Sequence, residues 1–255
     1  MRIRSFGVLM VLLLAATGAW GEGAGRAVDV QIRSDSGKIL PLYPISAAFP
    51  ARKLYAEARK GDHYSIVVRN LLGRRIGVVV AVDGRNIVSG KQSWLRNDER
   101  MYILEPYAQG EFTGWRTSLE SVNRFYFTEA ADSYAAAFRD ESAMGVIAVA
   151  VYPEVVRRDE PAELSQVPGR AADRAAPSAK AESERAGTGF GREEHSPVRV
   201  VAFDPEGAAA DRVFIKYEWR STLCRQGVIR AGCGRSPRNR LWDSDDFAPR
   251  PPGRS

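Results

Sequence analysis

Two stretches of the chain are almost entirely apolar, and both have the composition of buried β-strands. Residues 76–82 and residues 144–152 are rich in valine, isoleucine and alanine and carry no charged side chain. Strands that are buried on both faces form continuous apolar runs, so we expect these two at the centre of the fold. Asp83-Gly84 follows the first run and predicts a tight turn, because glycine tolerates the positive φ that such turns need.

Other segments alternate apolar and polar residues, which predicts strands with one buried face. In residues 28–33 the apolar positions are Val28, Val30 and Ile32. Further strand candidates are residues 39–45, 54–59, 63–70, 100–104, 110–113 and 123–128. The prolines in 39–45 suit a sheet edge. Segments 54–59 and 63–70 flank a Lys-Gly-Asp turn signal and predict a hairpin.

The spacing of these strands predicts the fold class. Short strands joined by turns rich in Gly, Pro, Asp and Asn, without helical periodicity, favour an all-β antiparallel sandwich. We therefore predict a β-sandwich core, jelly-roll or immunoglobulin-like, over residues 22–156. Residues 129–139 are richer in alanine and predict a short helix or an irregular crossover.

The C-terminal part has a different composition. Residues 157–196 are dominated by Ala, Arg, Glu, Ser, Pro and Gly, which predicts a disordered linker. Residues 198–203 and 212–220 then predict a β-hairpin. Two strands are marginal alone, so we expect this C-terminal module, residues 197–240, to dock back on the sheet. Residues 241–255 are predicted to be a flexible tail.

The N-terminus predicts export. Arg2 and Arg4 precede the apolar residues 8–16, and Ala19 and Gly21 place small residues at a cleavage site, so residues 1–21 resemble a secretory signal peptide. The alternative, an uncleaved anchor, is disfavoured because the apolar run is shorter than the roughly 20 residues that span a bilayer. We predict a periplasmic or extracellular protein without a transmembrane segment in its mature chain.

Charge and cysteine content narrow the possible functions. The formal net charge is +6, and without the two arginines of the predicted signal it is +4, which is too mild to indicate nucleic-acid binding. Cys224 and Cys233 are the only cysteines. In an exported chain they predict a disulfide that closes a small loop. A metal or redox pair is the weaker alternative, because the spacing is not C-x-x-C.

An ordered series of motifs carries a family resemblance. The motifs are VVVAVDGRNIVSGK (78–91), YILEPY (102–107), GWR (114–116), RFYFT (124–128), DSYAA (132–136) and GVIAVAVY (145–152). This series resembles a group of uncharacterised exported bacterial proteins with a VDG turn, a Gly-Trp/Phe-Arg segment and a closing GVIGVAVF-type strand. The resemblance covers about residues 54–154. No activity is established for that group, so the resemblance implies no functional residues.

Catalytic signatures are lacking. The sequence has no H-E-x-x-H, P-loop, G-x-G-x-x-G or EF-hand motif. His63 and Ser65 share a strand face, but no nucleophile elbow surrounds the serine. The acidic pair at 98–99 and the aspartates near residue 245 are typical of solvated turns and tails. Asp83, with Arg85 and Asn86, suits either ligand contact or turn chemistry, and turn chemistry is favoured. We predict no catalytic residue, metal or cofactor.

Two groups of residues are candidate contacts. The first consists of loop aromatics and a neighbouring arginine: Trp94, Tyr107, Trp115 and Arg116. They suit stacking on a sugar or gripping a protein, although Trp115 is favoured to plug the sandwich end. The second is a basic cluster: Arg212, Lys216, Arg220, Arg225 and Arg230. A cluster of one sign attracts polyanions, unless it merely balances linker acids or solubilises the hairpin.

These observations favour a non-enzymatic role. We expect an exported binding or envelope-associated structural module whose partners are anionic polysaccharide, lipid head groups or an envelope protein. A hydrolase acting on envelope polysaccharide is the alternative from another class. A subunit that assembles through an exposed sheet edge is a third possibility.

Overall fold

The computed structural model describes residues 26–45, 51–156 and 185–233. These residues form two β-sheets that enclose one apolar core between them, which confirms the all-β sandwich-like fold. The predicted signal peptide, residues 157–184 of the predicted linker and the predicted tail lie outside the described residues. Within the described part, no helix is both long enough and apolar enough to traverse a bilayer.

Strands supply most of the regular structure. In chain order they are β1 (Val28–Ser34), β2 (Leu42–Ile45), β3 (Ala51–Ala58), β4 (His63–Asn70), β5 (Ile76–Val82), β6 (Arg85–Asn86), β7 (Tyr102–Leu104), β8 (Gln109–Phe112), β9 (Gly114–Arg116), β10 (Ser121–Glu129), β11 (Val146–Pro153), β12 (Ala186–Thr188), β13 (Glu193–His195) and β14 (Asp211–Trp219). A 3-10 turn (Ala130–Asp132) and the short helices α1 (Tyr134–Ala137) and α2 (Arg220–Arg225) complete the described elements.

Over the described residues, each sheet contains seven strands, and the chain passes between the two sheets several times. Sheet A has the order β1-β4-β10-β12, with β8 paired to β4 and with β9 and β13 paired to β10. Sheet B has the order β2-β3-β14-β11-β5-β6, with β7 paired to β5. All pairings are antiparallel except that of β3 with β14, which is parallel. The prediction that the proline-containing segment 39–45 suits an edge is confirmed by β2.

The two apolar runs lie inside sheet B, as their composition predicts, and the structure shows that they are neighbours there. Strands β5 and β11 pair over seven residues, and every residue of β5 is buried. Their outward side chains, among them Val79 and Tyr152, are covered by Leu95 and Met101 from the loop after β6. Both faces of these strands are therefore shielded from water.

The Asp83-Gly84 turn also forms as predicted. Asp83 has φ 49° and Gly84 has φ 80°, and Val82 pairs with Arg85 on the far side of the turn. A two-residue hairpin with both central residues at positive φ matches the right-handed twist of the flanking strands.

The predicted hairpin of residues 54–59 and 63–70 is wrong. Strand β3 pairs with β2 and β14 in sheet B, whereas β4 pairs with β1, β8 and β10 in sheet A. The turn between them is a corner of the sandwich, where the backbone N–H of Gly61 donates to the Phe127 carbonyl at 2.8 Å. Alternation predicted which faces are buried, but both strands satisfy that pattern from opposite sides of the core.

The C-terminal module docks on the sheet as predicted, but the predicted hairpin within it is wrong. Residues 198–203 form no strand, and β14 lies in the middle of sheet B between β3 and β11 rather than extending a finished sheet. Its inward residues Val213, Ile215 and Tyr217 are completely buried. Strand β14 is therefore part of the core, and its two neighbours, β3 and β11, come from distant parts of the chain.

The predicted disorder does not extend to residues 185–196. Strands β12 and β13 both pair with β10. Small residues permit this close packing: a Cβ atom at Gly187 would lie 2.7 Å from the Cβ of Ser133. The low hydrophobicity of this stretch suggested disorder, but its glycines let the backbone approach the sheet.

The predicted disulfide is confirmed. Cys224 in α2 and Cys233 are bonded, and their Cα atoms are 5.5 Å apart. The bridge closes a loop that begins where β14 ends, so it fixes the chain beside the central strand of sheet B.

Candidate functional site

Trp115 is not a surface contact. Only 2% of the residue is exposed, its ring meets Phe125 edge-on at 5.3 Å, and its Nε1–H donates to the Gly189 carbonyl at 3.1 Å. The alternative interpretation, that this tryptophan plugs the sandwich, is therefore correct. A buried indole needs such an acceptor for its N–H group.

Arg116 is occupied by structural hydrogen bonds. Its Nε donates to the Tyr102 hydroxyl at 2.7 Å, and its Nη1 donates to the carbonyls of Ser118 and Ser196. The guanidinium therefore ties the segment after β13 to β7. This use of its donors disfavours Arg116 as a ligand contact.

Trp94 and Tyr107 remain exposed, at 73% and 65%, on separate loops. The Trp94 loop is held by Glu99, whose carboxylate accepts from the backbone N–H groups of Trp94 and Arg96 and from the Ser93 hydroxyl. Partial burial alone would raise the pKa of Glu99, but these donors outweigh it and lower that pKa. These hydrogen bonds to Glu99 therefore hold the loop in a conformation that leaves the Trp94 side chain exposed to solvent.

The five basic candidates fall in three places. Arg212 and Lys216 project from the outer face of sheet B, because the intervening Val213 and Ile215 point inward. Arg220 and Arg230 line a recess at one end of the sandwich. Arg225 is exposed on α2, where its only hydrogen bond within the described residues goes to Thr222. No single basic stripe unites all five.

The register of the strands places aromatic residues beside Arg212 and Lys216. Tyr43 pairs with Tyr55, Tyr55 pairs with Lys216, and Lys53 pairs with Phe214. All of these positions share the outer side of sheet B with Arg212. We call this surface the cation–aromatic face; it consists of Tyr43, Lys53, Tyr55, Arg212, Phe214 and Lys216. Each of the six is partly or fully exposed.

The cations of this face differ in their partners. Lys216 bridges to Glu218 at 3.2 Å and donates to the Met144 carbonyl at 3.0 Å. Lys53 and Arg212 form no ion pair with any described residue. Lys53 lies across from Phe214 on β3 and Arg212 lies two residues away on β14, so two cations without an ion-pair partner among the described residues lie next to an apolar ring.

Arg220 and Arg230 line a recess at the corner between β3 and β4, which we call the end recess. Its volume is about 470 Å³, within the range of about 300–1,000 Å³ typical of small-ligand sites. Its cationic lining residues are Lys38, Arg59, Arg220 and Arg230, beside His63. Leu40, Phe127 and Ile229 supply apolar surface.

The acids of the end recess are Glu57 and Asp62. The Glu57 carboxylate forms ion pairs with the guanidinium groups of Arg220, at 2.7 Å, and Arg59, at 3.5 Å. Arg220 also donates a hydrogen bond to the Ala231 carbonyl. This network attaches the disulfide loop to β3. Glu57 therefore acts as the internal counterion of two arginines.

His63 and Ser65 contact different partners, and no hydrogen bond joins their side chains. The Ser65 hydroxyl donates to the Glu111 carboxylate at 2.5 Å, while the His63 ring packs near Tyr126, with 5.6 Å between centroids. Within the described residues, no three His, Cys, Asp or Glu side chains are grouped closely enough to hold a metal ion. The aspartates at 243–246 lie outside those residues.

Asp83 is completely buried, which the sequence did not indicate. Its carboxylate accepts from the N–H groups of Gly145 at 2.8 Å and Thr188 at 2.7 Å, and from the Tyr217 hydroxyl at 2.5 Å. Burial raises the pKa of Asp83 to about 6, and these hydrogen bonds only partly oppose the rise. Asp83 therefore joins the β5 turn to β12 and β14 and is not a surface contact.

Sequence reasoning missed the aromatic half of the cation–aromatic face. One signal was available: in residues 212–216, Arg212, Phe214 and Lys216 alternate with core residues and so must share the opposite side. Tyr43, Lys53 and Tyr55 could not be added, because their position depends on the register with β14.

Comparisons with protein-family models, with curated proteins and with solved structures found no match for this chain.

Proposed function

We propose that this protein is an exported, non-enzymatic binding module that holds acidic polysaccharide on the cation–aromatic face. The observation that carries the proposal is the register of β2, β3 and β14, which gathers three aromatic rings and three cations on one solvent-facing surface. The predicted signal peptide directs the chain to the compartment where envelope polymers occur.

The chemistry of the face suits such a ligand. Aromatic rings offer flat apolar surfaces that contact the C–H faces of sugars, and their polar tips remain hydrated. Lys53 and Arg212 lack ion-pair partners among the described residues, so an anionic group gains contacts there without displacing an existing one. Because Arg212 and Lys216 are four residues apart on one strand, the cations span about 13 Å.

The alternative functions have weaker support. A glycoside hydrolase typically needs two carboxylates that flank the scissile bond, but of the two acids of the end recess Glu57 is bound by two arginines, which leaves only Asp62 without an ion pair among the described residues. Assembly through the β1 edge would need open backbone groups. There the Arg52 side chain donates to the Val28 carbonyl, and the Leu40 N–H donates to the Ile32 carbonyl.

The test is binding of polygalacturonate across a salt gradient, with neutral dextran as the uncharged comparison. The variants are Lys53→Thr and Arg212→Thr, singly and together, and Phe214→Thr alone; Arg225→Ala on α2 is the charge control for each single variant. Exposed charge contacts contribute up to about 1 kcal/mol each, so the double variant should bind up to about thirtyfold more weakly. Its residual binding should depend less on salt.

The aromatic contribution should behave differently. The loss caused by Phe214→Thr should persist at high salt, because contact between a ring and a sugar is not screened. Equal effects of Arg225→Ala and the double variant would refute a localised site. Retention of polygalacturonate by neither the wild type nor any variant at low salt would refute the proposed function.

A further inference from the structure

The end recess opens onto the cation–aromatic face. Tyr43 and Glu57 lie on the outer side of β2 and β3, and both also line the recess. A ligand chain on the face therefore reaches the recess without leaving the protein surface.

Three segments bound the recess. The turn after β1 contributes Ser34 and Lys38, the corner between β3 and β4 contributes Arg59, and the disulfide loop contributes residues 228–231. Phe127 of β10 lies at its base. A site bounded on three sides and closed below takes the end of a chain more readily than its middle.

Two cations in these walls are available to a ligand. Lys38 and Arg230 are exposed and form no ion pair with a described residue. They come from different segments, and the Cys224–Cys233 bridge closes the loop that carries Arg230. By contrast, Arg59 and Arg220 are engaged with Glu57.

We propose that the end recess binds the terminal acidic sugar of a polysaccharide whose following units lie on the cation–aromatic face. The inference rests on the proposed function and extends it: the protein recognises chain ends rather than chain interiors. Lys38 and Arg230 pair with the carboxylate of the terminal sugar, and the apolar base of the recess contacts its ring.

Stoichiometry tests this inference directly. Oligogalacturonates of increasing length are titrated with the full chain, and the number of protein molecules bound per sugar chain is counted by calorimetry and light scattering. End recognition gives a number that stays constant with length. Binding along the chain gives a number that rises with length and overturns the inference while leaving the proposed function intact. Absence of binding at every length overturns both.

Variants of the recess provide the second arm. Lys38→Ser with Arg230→Ser should weaken the binding of the tetramer and of the long polymer alike, at least tenfold, because both ligands are held by one chain end. Arg225→Ala, from the same region but outside the recess, should change neither. Two modified tetramers identify which terminus enters the recess: one has its reducing end reduced with borohydride, and the other has an unsaturated non-reducing end made by a lyase. The modification that weakens binding marks the terminus that the recess holds. Equal tetramer affinity of the wild type and the recess variant overturns the inference, provided that both unfold at the same urea concentration.

Discussion

The substitution Asp83→Asn tests how much the buried Asp83 carboxylate, which joins three strands of the sandwich, contributes to stability. The substitution keeps the size of the side chain but replaces one acceptor oxygen by an NH₂ donor. In the wild type, one carboxylate oxygen accepts from Gly145 and Tyr217 and the other accepts from Thr188. The amide must therefore turn its NH₂ group toward at least one backbone N–H, and the variant should be less stable at neutral pH.

The more specific expectation concerns pH. Burial is the largest cause of the shift that raises the pKa of Asp83 from 3.8 to about 6. Hydrogen bonds from Tyr217, Thr188 and Gly145, and the charge of Lys216, oppose burial without cancelling it. A shift of about two units corresponds to about 3 kcal/mol.

The direction follows from proton linkage. Because the folded-state pKa is the higher one, the folded protein binds more protons than the unfolded chain between the two values. The stability associated with protonated Asp83 is therefore fully present below about pH 4 and is lost as the pH rises through about 6.

The assay is urea unfolding of the wild type and Asp83→Asn from about pH 4 to about pH 7. Other titrating groups largely cancel in the difference between the two unfolding free energies. The advantage of the wild type over the variant should shrink by about 2 kcal/mol across this range, most of the total shift. A constant difference, or one that grows with pH, would refute the claim that burial outweighs the hydrogen bonds at Asp83.

Two further predictions follow from the C-terminal part of the fold. A chain ending at residue 196 should not fold, because removal of β14 leaves β3 and β11 without their shared neighbour. By contrast, residues 22–156 co-expressed with residues 185–255 should assemble into one complex. Co-purification and circular dichroism check this, and a folded 196-residue chain would contradict it. Replacing Cys224 and Cys233 by serine should cost about 2–3 kcal/mol in urea unfolding and should weaken the binding of tetragalacturonate and of polygalacturonate alike; unchanged affinity for tetragalacturonate would argue against the disulfide loop as a wall of the end recess.

Local patterns were sufficient for several elements. The apolar runs that became β5 and β11 and the Asp83-Gly84 turn were predictable because each depends on backbone conformation or on burial over a few consecutive residues. The Cys224–Cys233 bridge was predictable because the chain offers only one pairing. The burial of Trp115 was among the alternatives, since a large aromatic ring beside strands suits a core position as well as a surface one.

Strand pairing was decided by contacts far apart in the chain. Alternation along β3, β4 and β14 determines which side chains face inward, and that part of the prediction was correct for Tyr64, Ile66 and Val68. It does not say which strand lies beside which, because two strands can cover the same core from opposite sheets. The misplaced hairpins share this cause, and so does the assignment of residues 185–196 to a linker.

The sequence by itself determined the all-β class, the buried faces of the strands, the disulfide and the basic character of residues 212–230. The tertiary structure alone decided where that charge lies. Register placed Arg212 and Lys216 beside Tyr43, Tyr55 and Phe214, and the chain corner placed Arg220 and Arg230 in a separate recess. A binding surface depends on neighbours across strands, and a one-dimensional pattern carries information only about neighbours along a strand.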